Sequence, residues 1–164
     1  MRIERVDPVG EQESVWDYPR PPGLVRDERR VVVMFAGVTI ADTTRAVRIL
    51  ETSHPPTLYL PLDDTRRDLL RPAEGTSFCE WKGAAAYVDL MVGAQVAPEA
   101  GWYYPEPSPR YAALRYHVAF YANRVDRCTV DGIEVTPQPG GFYGGWITPE
   151  VVGPFKGEPG TRGW

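Results

Sequence analysis

Arg45, Val47, Ile49 and Glu51 occupy alternate positions, so in an extended segment they point to one side, two charges bracketing two apolar side chains. A carboxylate on a largely apolar face needs a partner: an arginine or solvent at a sheet edge in a purely structural role, or a ligand in a functional one. His54 follows three residues later, beside the rigid Pro55-Pro56 step, and an imidazole there serves either as a hydrogen-bonded structural group or as a proton carrier. The run Cys79-Glu80-Trp81-Lys82-Gly83 is the second unusual group. The chain has only two lysines, Lys82 and Lys156, among 18 basic residues. An ammonium beside an aromatic ring and a glycine suits a carboxylate, a phosphate or a polarised carbonyl, and Gly83 lets the backbone come close. Cys79 is a candidate reactive thiol only if a neighbouring charge such as Lys82 or His54 activates it; a buried inert thiol is the simpler reading. The third group is Trp102-Tyr103-Tyr104-Pro105-Glu106-Pro107, in which Trp102 and Tyr104 share one face of an extended chain. Flat rings with polar handles can wall a pocket, or equally cover a core.

Short strands must position these groups. Val31 to Phe35 and Val38 to Ala41 flank a turn at Gly37 and read as a hairpin. Residues 45–52 form the next strand, stopped by His54-Pro55-Pro56, since a residue before proline is driven to extended geometry, and Leu58-Tyr59-Leu60 makes another. Residues 63–70 open with acidic side chains after Pro61 and can begin a short helix. From Ala84 to Val92 one face is wholly apolar and the other mixed, as in a half-buried strand. Residues 116–121 alternate in the same way, and Asp131-Gly132 between residues 128–130 and 133–135 is a two-residue hairpin turn. About eight strands result, antiparallel at least at the C-terminal end.

Sixteen glycines and seventeen prolines in 164 residues favour such strands over long helices, yet this share stays below that of low-complexity disorder, about 25–30%. One domain fits the length. It comprises an N-terminal extension over residues 1–28, a core over 29–136, and a Gly/Pro/aromatic tail over 137–164 that packs on the core. The formal charge of −4 lacks the footprint of a general nucleic-acid binder. With no apolar leader and no long apolar span, a soluble cytoplasmic protein that neither crosses nor coats a membrane is expected. The two cysteines, Cys79 and Cys128, form no C-x-x-C pair, and neither a disulfide framework nor a metal or other cofactor is expected.

Arg45-Ala46-Val47 through Glu51, Leu58-Tyr59-Leu60-Pro61, Cys79-x-Trp81-Lys82-Gly83-x-Ala85-x-Tyr87, Trp102-x-Tyr104-Pro105-x-Pro107 and Ala119-Phe120-Tyr121 together resemble the domain of unknown function family numbered 427. The resemblance covers about residues 29–136, and the Cys-x-aromatic-Lys-Gly element is its most specific part. The terminal segments are similar to those of the longer bacterial members. The resemblance implies an all-β, β-tent-like fold, in which two antiparallel sheets of short strands lean together with a pocket between them and at most one short helix. Many β-tent relatives hold zinc through two C-x-x-C pairs, which this chain lacks. The family also carries a nucleotidyltransferase label. That chemistry normally uses a Gly-Ser loop and alternating carboxylates, whereas this chain has no Gly-Ser dipeptide and its Asp63-Asp64 are adjacent.

The leading expectation is a domain that binds a small polar or anionic ligand through Arg45, Glu51, His54, Lys82, Tyr87, Trp102 and Tyr104, with catalysis left open. The alternatives are a peptide- or protein-binding module that uses the same aromatic surface, and nucleotidyl transfer. Glu51 and Lys82 are expected to face one cavity, with a cross-sheet ion pair as one form of that arrangement.

Overall fold

Alternation decides the architecture. The computed structural model describes residues 2–164 and contains β1 (Glu13–Ser14), β2 (Gly23–Asp27), β3 (Val31–Phe35), β4 (Val38–Thr43), β5 (Ala46–Leu50) and β6 (Thr57–Pro61). These are followed by β7 (Leu70–Cys79), β8 (Gly83–Val92), β9 (Gln95–Tyr103), β10 (His117–Phe120), β11 (Arg127–Val130) and β12 (Ile133–Glu134), and then by β13 (Thr136–Pro137), β14 (Trp146–Ile147) and β15 (Val151–Val152). Seven strands form one antiparallel sheet in the order β2-β5-β6-β10-β9-β8-β7, and four form a second in the order β12-β11-β3-β4. The protein is all-β, and its helical segments are short 3-10 turns. Where a short helix is expected over residues 63–70, the chain forms two of these, Leu62–Asp64 and Arg67–Leu69, in place of a continuous helix. Among the described residues no helix is long and apolar enough to cross a membrane.

Val31, Val33 and Ile40 of the smaller sheet are buried against Leu58, Leu60, Val88, Leu90, Val118 and Phe120 of the larger one. The intervening residues of the larger sheet point the other way. There Val47, Ile49, Tyr59, Ala85, Trp102, Tyr104, Ala119 and Tyr121 form a second apolar layer, joined by Tyr111 and Leu114 of the 3-10 segment Pro109–Leu114. The larger sheet is thus apolar on both faces, as its near-continuous apolar runs require. The Asp131-Gly132 turn takes positive φ at both residues, 49° and 80°, and pairs Val130 with Ile133.

Two strands are longer than the composition suggests. β7 carries a mostly exposed edge with no clean alternation, and β9 is broken in register near Pro98, where Glu99 also takes a positive φ. Neither gives the period-2 signal that marks a half-buried strand.

The terminal segments clasp one another: β1 pairs with β15 in parallel, and Trp16 Nε1 donates to the Pro154 carbonyl at 2.9 Å. Asp27 is buried and bound by Arg29, whose guanidinium also reaches Glu150 near the C-terminus. Trp146 is buried and donates through Nε1 to the Phe120 carbonyl at 2.9 Å. These bonds hold the tail against the larger sheet.

Candidate functional site

A cavity of about 310 Å³ opens on the face of the larger sheet that the smaller sheet does not cover. The sheet supplies its floor through Ile49, Tyr59, Trp102 and Tyr104, and the β7–β8 turn supplies a wall through Cys79–Lys82. The β5–β6 connection adds Glu51, His54 and Pro55, while the tail adds Gln138 and Phe142–Gly144.

The floor is a ring cluster. Trp102 Nε1 donates to the Tyr59 hydroxyl at 3.2 Å, the Trp102 and Tyr121 rings lie 4.6 Å apart, and Tyr59 sits 6.1 Å from Tyr104. Burial pushes the phenols of Tyr59, Tyr104 and Tyr121 well above the usual range, so they face the cavity as neutral hydrogen-bonding groups.

The β7–β8 turn is fixed from outside. Gly83 takes φ of +111°, a conformation that glycine adopts without penalty. Ser108 donates its N–H to the Lys82 carbonyl at 3.0 Å and its Oγ hydroxyl to the Trp81 carbonyl at 2.6 Å. Lys82 is half-buried, with Nζ 5.7 Å from the centre of the Tyr104 ring, within the range of a cation–π contact.

Opposite it, His54 and Glu51 are locked. Gln138 Oε1 accepts the Gly145 N–H at 3.0 Å, so its amide nitrogen faces the Lys156 carbonyl at 2.8 Å and His54 Nδ1 at 3.0 Å. Nδ1 is therefore the acceptor, and the network assigns the ring hydrogen to Nε2. Nε2 lies 2.9 Å from Glu51 Oε2. Burial opposes ionisation of Glu51, but the His54 hydrogen bond and the electrostatic pull of His54, Lys82 and Arg20 outweigh it and hold the carboxyl below its usual range. An ionised carboxylate with one oxygen committed to His54 is the result.

Glu51, His54, Cys79, Lys82, Tyr87, Trp102 and Tyr104 all line this cavity. Glu51 and Lys82 face it together, although Glu51 pairs with His54 and not with Lys82. Arg45 lies elsewhere. β5 begins at Ala46, so Arg45 belongs to the preceding turn, where its guanidinium reaches Asp64 at 3.0 Å. Sequence reasoning missed Tyr59, Tyr121, Gln138 and Tyr143. Alternation within Leu58-Tyr59-Leu60 was a usable signal for Tyr59, since it opposes the two leucines; Gln138 sits in an aperiodic stretch and offered none. Among the described residues no three His, Cys, Asp or Glu side chains group as metal ligands.

The low Glu51 pKa has a signed consequence. A carboxyl lowered on folding adds stability above its unfolded value and loses that stability as pH falls through the folded one. Glu51→Gln is therefore expected to flatten the acid limb of a melting-temperature profile below about pH 5, leaving the residual slope to groups such as Asp27, which Arg29 holds low against the opposing effect of burial. An unchanged slope would contradict the ionised Glu51.

The chain belongs to the family described as a domain of unknown function, DUF427, whose match runs over residues 23–131. No curated protein matches it. The matched stretch contains Glu51, His54, Lys82 and the ring cluster, whereas the tail wall of Gln138 and Phe142–Gly144 lies beyond it.

Proposed function

We propose that this protein binds a small polar ligand bearing an anionic group in the aromatic-walled cavity. Lys82 takes the anion, Glu51 accepts from a donor on the ligand, and Trp102 and Tyr104 pack against its body. The carrying observation is the convergence of a half-buried ammonium and a His54-locked carboxylate in one cavity of about 310 Å³. That volume is at the small end of the ~300–1,000 Å³ typical of ligand sites, which favours a small molecule over an extended peptide. Two cysteines with no disulfide partner, Cys79 and Cys128, suit a cytoplasmic setting.

Binding is favoured over acid–base or nucleophilic chemistry. A carboxylate held below its usual range is a weak base at neutral pH. Activation of Cys79 would need a free base, and both ring nitrogens of His54 are engaged. For nucleotidyl transfer, Asp64 is committed to Arg45 and Thr43 on another part of the surface, which leaves that reading without a supporting observation.

The test is a thermal-shift screen of small carboxylates and phosphates. A compound at a hundredfold excess over its dissociation constant adds about 2.7 kcal/mol of stability. The expected result is a hit whose shift disappears in Lys82→Ala. A shift of full size in that variant would remove Lys82 from the site, and a screen without any hit would count against the proposal.

A further inference from the structure

A second cavity, of about 400 Å³, lies on the core side of the larger sheet, at the junction of the Arg67–Leu69 turn, the start of β7, the end of β9 and the approach to β10. Its floor is the flank of the main core, formed by Leu62, Leu70, Val88 and Val118. Arg67, Arg71 and Arg115 also line it, all three exposed. Among the described residues none of these guanidiniums is in an ion pair, while the nearby acidic Asp68 is already taken by Arg66. Arg71 donates to the carbonyls of Asp68 and Leu70, which holds it in place without neutralising it.

Tyr116 adds a flat wall. It takes φ of +61°, a costly conformation for a tyrosine, and its carbonyl accepts the Leu62 N–H at 2.8 Å. The ring is 70% exposed and lies 5.6 Å from the Arg115 guanidinium. The strained backbone thus keeps a large ring beside Arg115, at the mouth of a cavity that Arg67 and Arg71 also line.

We infer that this cavity is a second binding site, for a small amphipathic anion whose flat or aliphatic body lies on the apolar floor while its carboxylate, sulfonate or phosphate meets the arginines. Planar guanidiniums bind such groups through paired donors. An apolar floor alone would accept a neutral body equally well, and arginines alone would hold an anion only weakly against salt. The pairing of the two selects for both properties in one molecule. This site lies across the sheet from the Glu51–Lys82 cavity, with Tyr104 the one lining residue common to both, and its ligand need not be the same.

The experiment titrates the protein with anilinonaphthalene sulfonate, an amphipathic anion that fluoresces when removed from water, and with its uncharged relative phenylnaphthylamine. Saturable one-to-one binding of the sulfonate is expected, at least about tenfold tighter than that of the neutral dye, since a tenfold step is the scale of one good charge-assisted contact. Arg67→Gln and Arg115→Gln are each expected to weaken the sulfonate severalfold and to leave the neutral dye unchanged. Arg26→Gln, which removes an exposed charge from β2 at the opposite edge of the sheet, leaves both unchanged. Tyr116→Gly relieves the positive φ, so its melting temperature does not fall while sulfonate affinity does. Equal affinity for the two dyes, full affinity in both arginine variants, no saturable binding below about 1 mM, or a loss that follows Lys82→Ala would each overturn the assignment.

Discussion

Trp102→Ala is expected to cost about 3–5 kcal/mol of folding stability, the usual range for removing a buried tryptophan. The indole is 8% exposed, packs on Tyr59 and Tyr121, and donates to the Tyr59 hydroxyl. Gly144 of the tail also lies against its ring. Its loss therefore leaves a void in the floor and undercuts the tail wall at once. Urea unfolding of the variant gives the size of the effect. Trp102→Phe separates the two roles, because it keeps an aromatic ring while removing the donor to Tyr59; it should retain most of the stability. A cost below about 1 kcal/mol for the alanine variant would mean that the ring is not packed as described.

Gln138→Leu is the second large effect. The side chain is 4% exposed and serves three partners: the Gly145 N–H, the Lys156 carbonyl and His54 Nδ1. Each buried polar group left unpaired costs about 1–3 kcal/mol, and because the three share one hub their sum is not additive, so a total near 3 kcal/mol is expected. The loss should be local in its dynamics. Hydrogen exchange is expected to accelerate at Gly145 and around Lys156, while the β3–β4 hairpin keeps its protection. A uniform change across the chain would mean that Gln138 supports the whole fold and is not the pin that holds the tail on the cavity.

The physics of alternation explains what could be read from the residues and what could not. The Asp131-Gly132 turn was legible because both of its positions need positive φ. Glu51 was legible because a charge on an apolar face is anomalous, and Lys82 because lysine is rare in this chain. Trp102 and Tyr104 followed from their shared face. Arg45 misled, since one residue of difference in where β5 starts moves a side chain from the strand face into a turn. The face on which the cavity opens was hidden: in a sheet that is apolar on both sides, period 2 does not say which side carries the second sheet. Gln138 was hidden for another reason, because its role comes from long-range pairing with His54, 84 residues away in sequence, and no local pattern encodes that. β7 escaped notice because an exposed edge strand needs no alternation.

Under the proposed function, Lys82 and Glu51 hold one small anionic ligand over the Trp102 floor. The most direct measurement of this is chemical-shift mapping with the carboxylate or phosphate that gives the largest thermal shift. The indole N–H signal of Trp102 and the signals of His54 and Lys82 are expected to move together and saturate one-to-one, while the indole of Trp16, which is bonded to Pro154 at the terminal clasp, stays still. Movement confined to residues outside the cavity, or a full response in Lys82→Ala, would contradict that function.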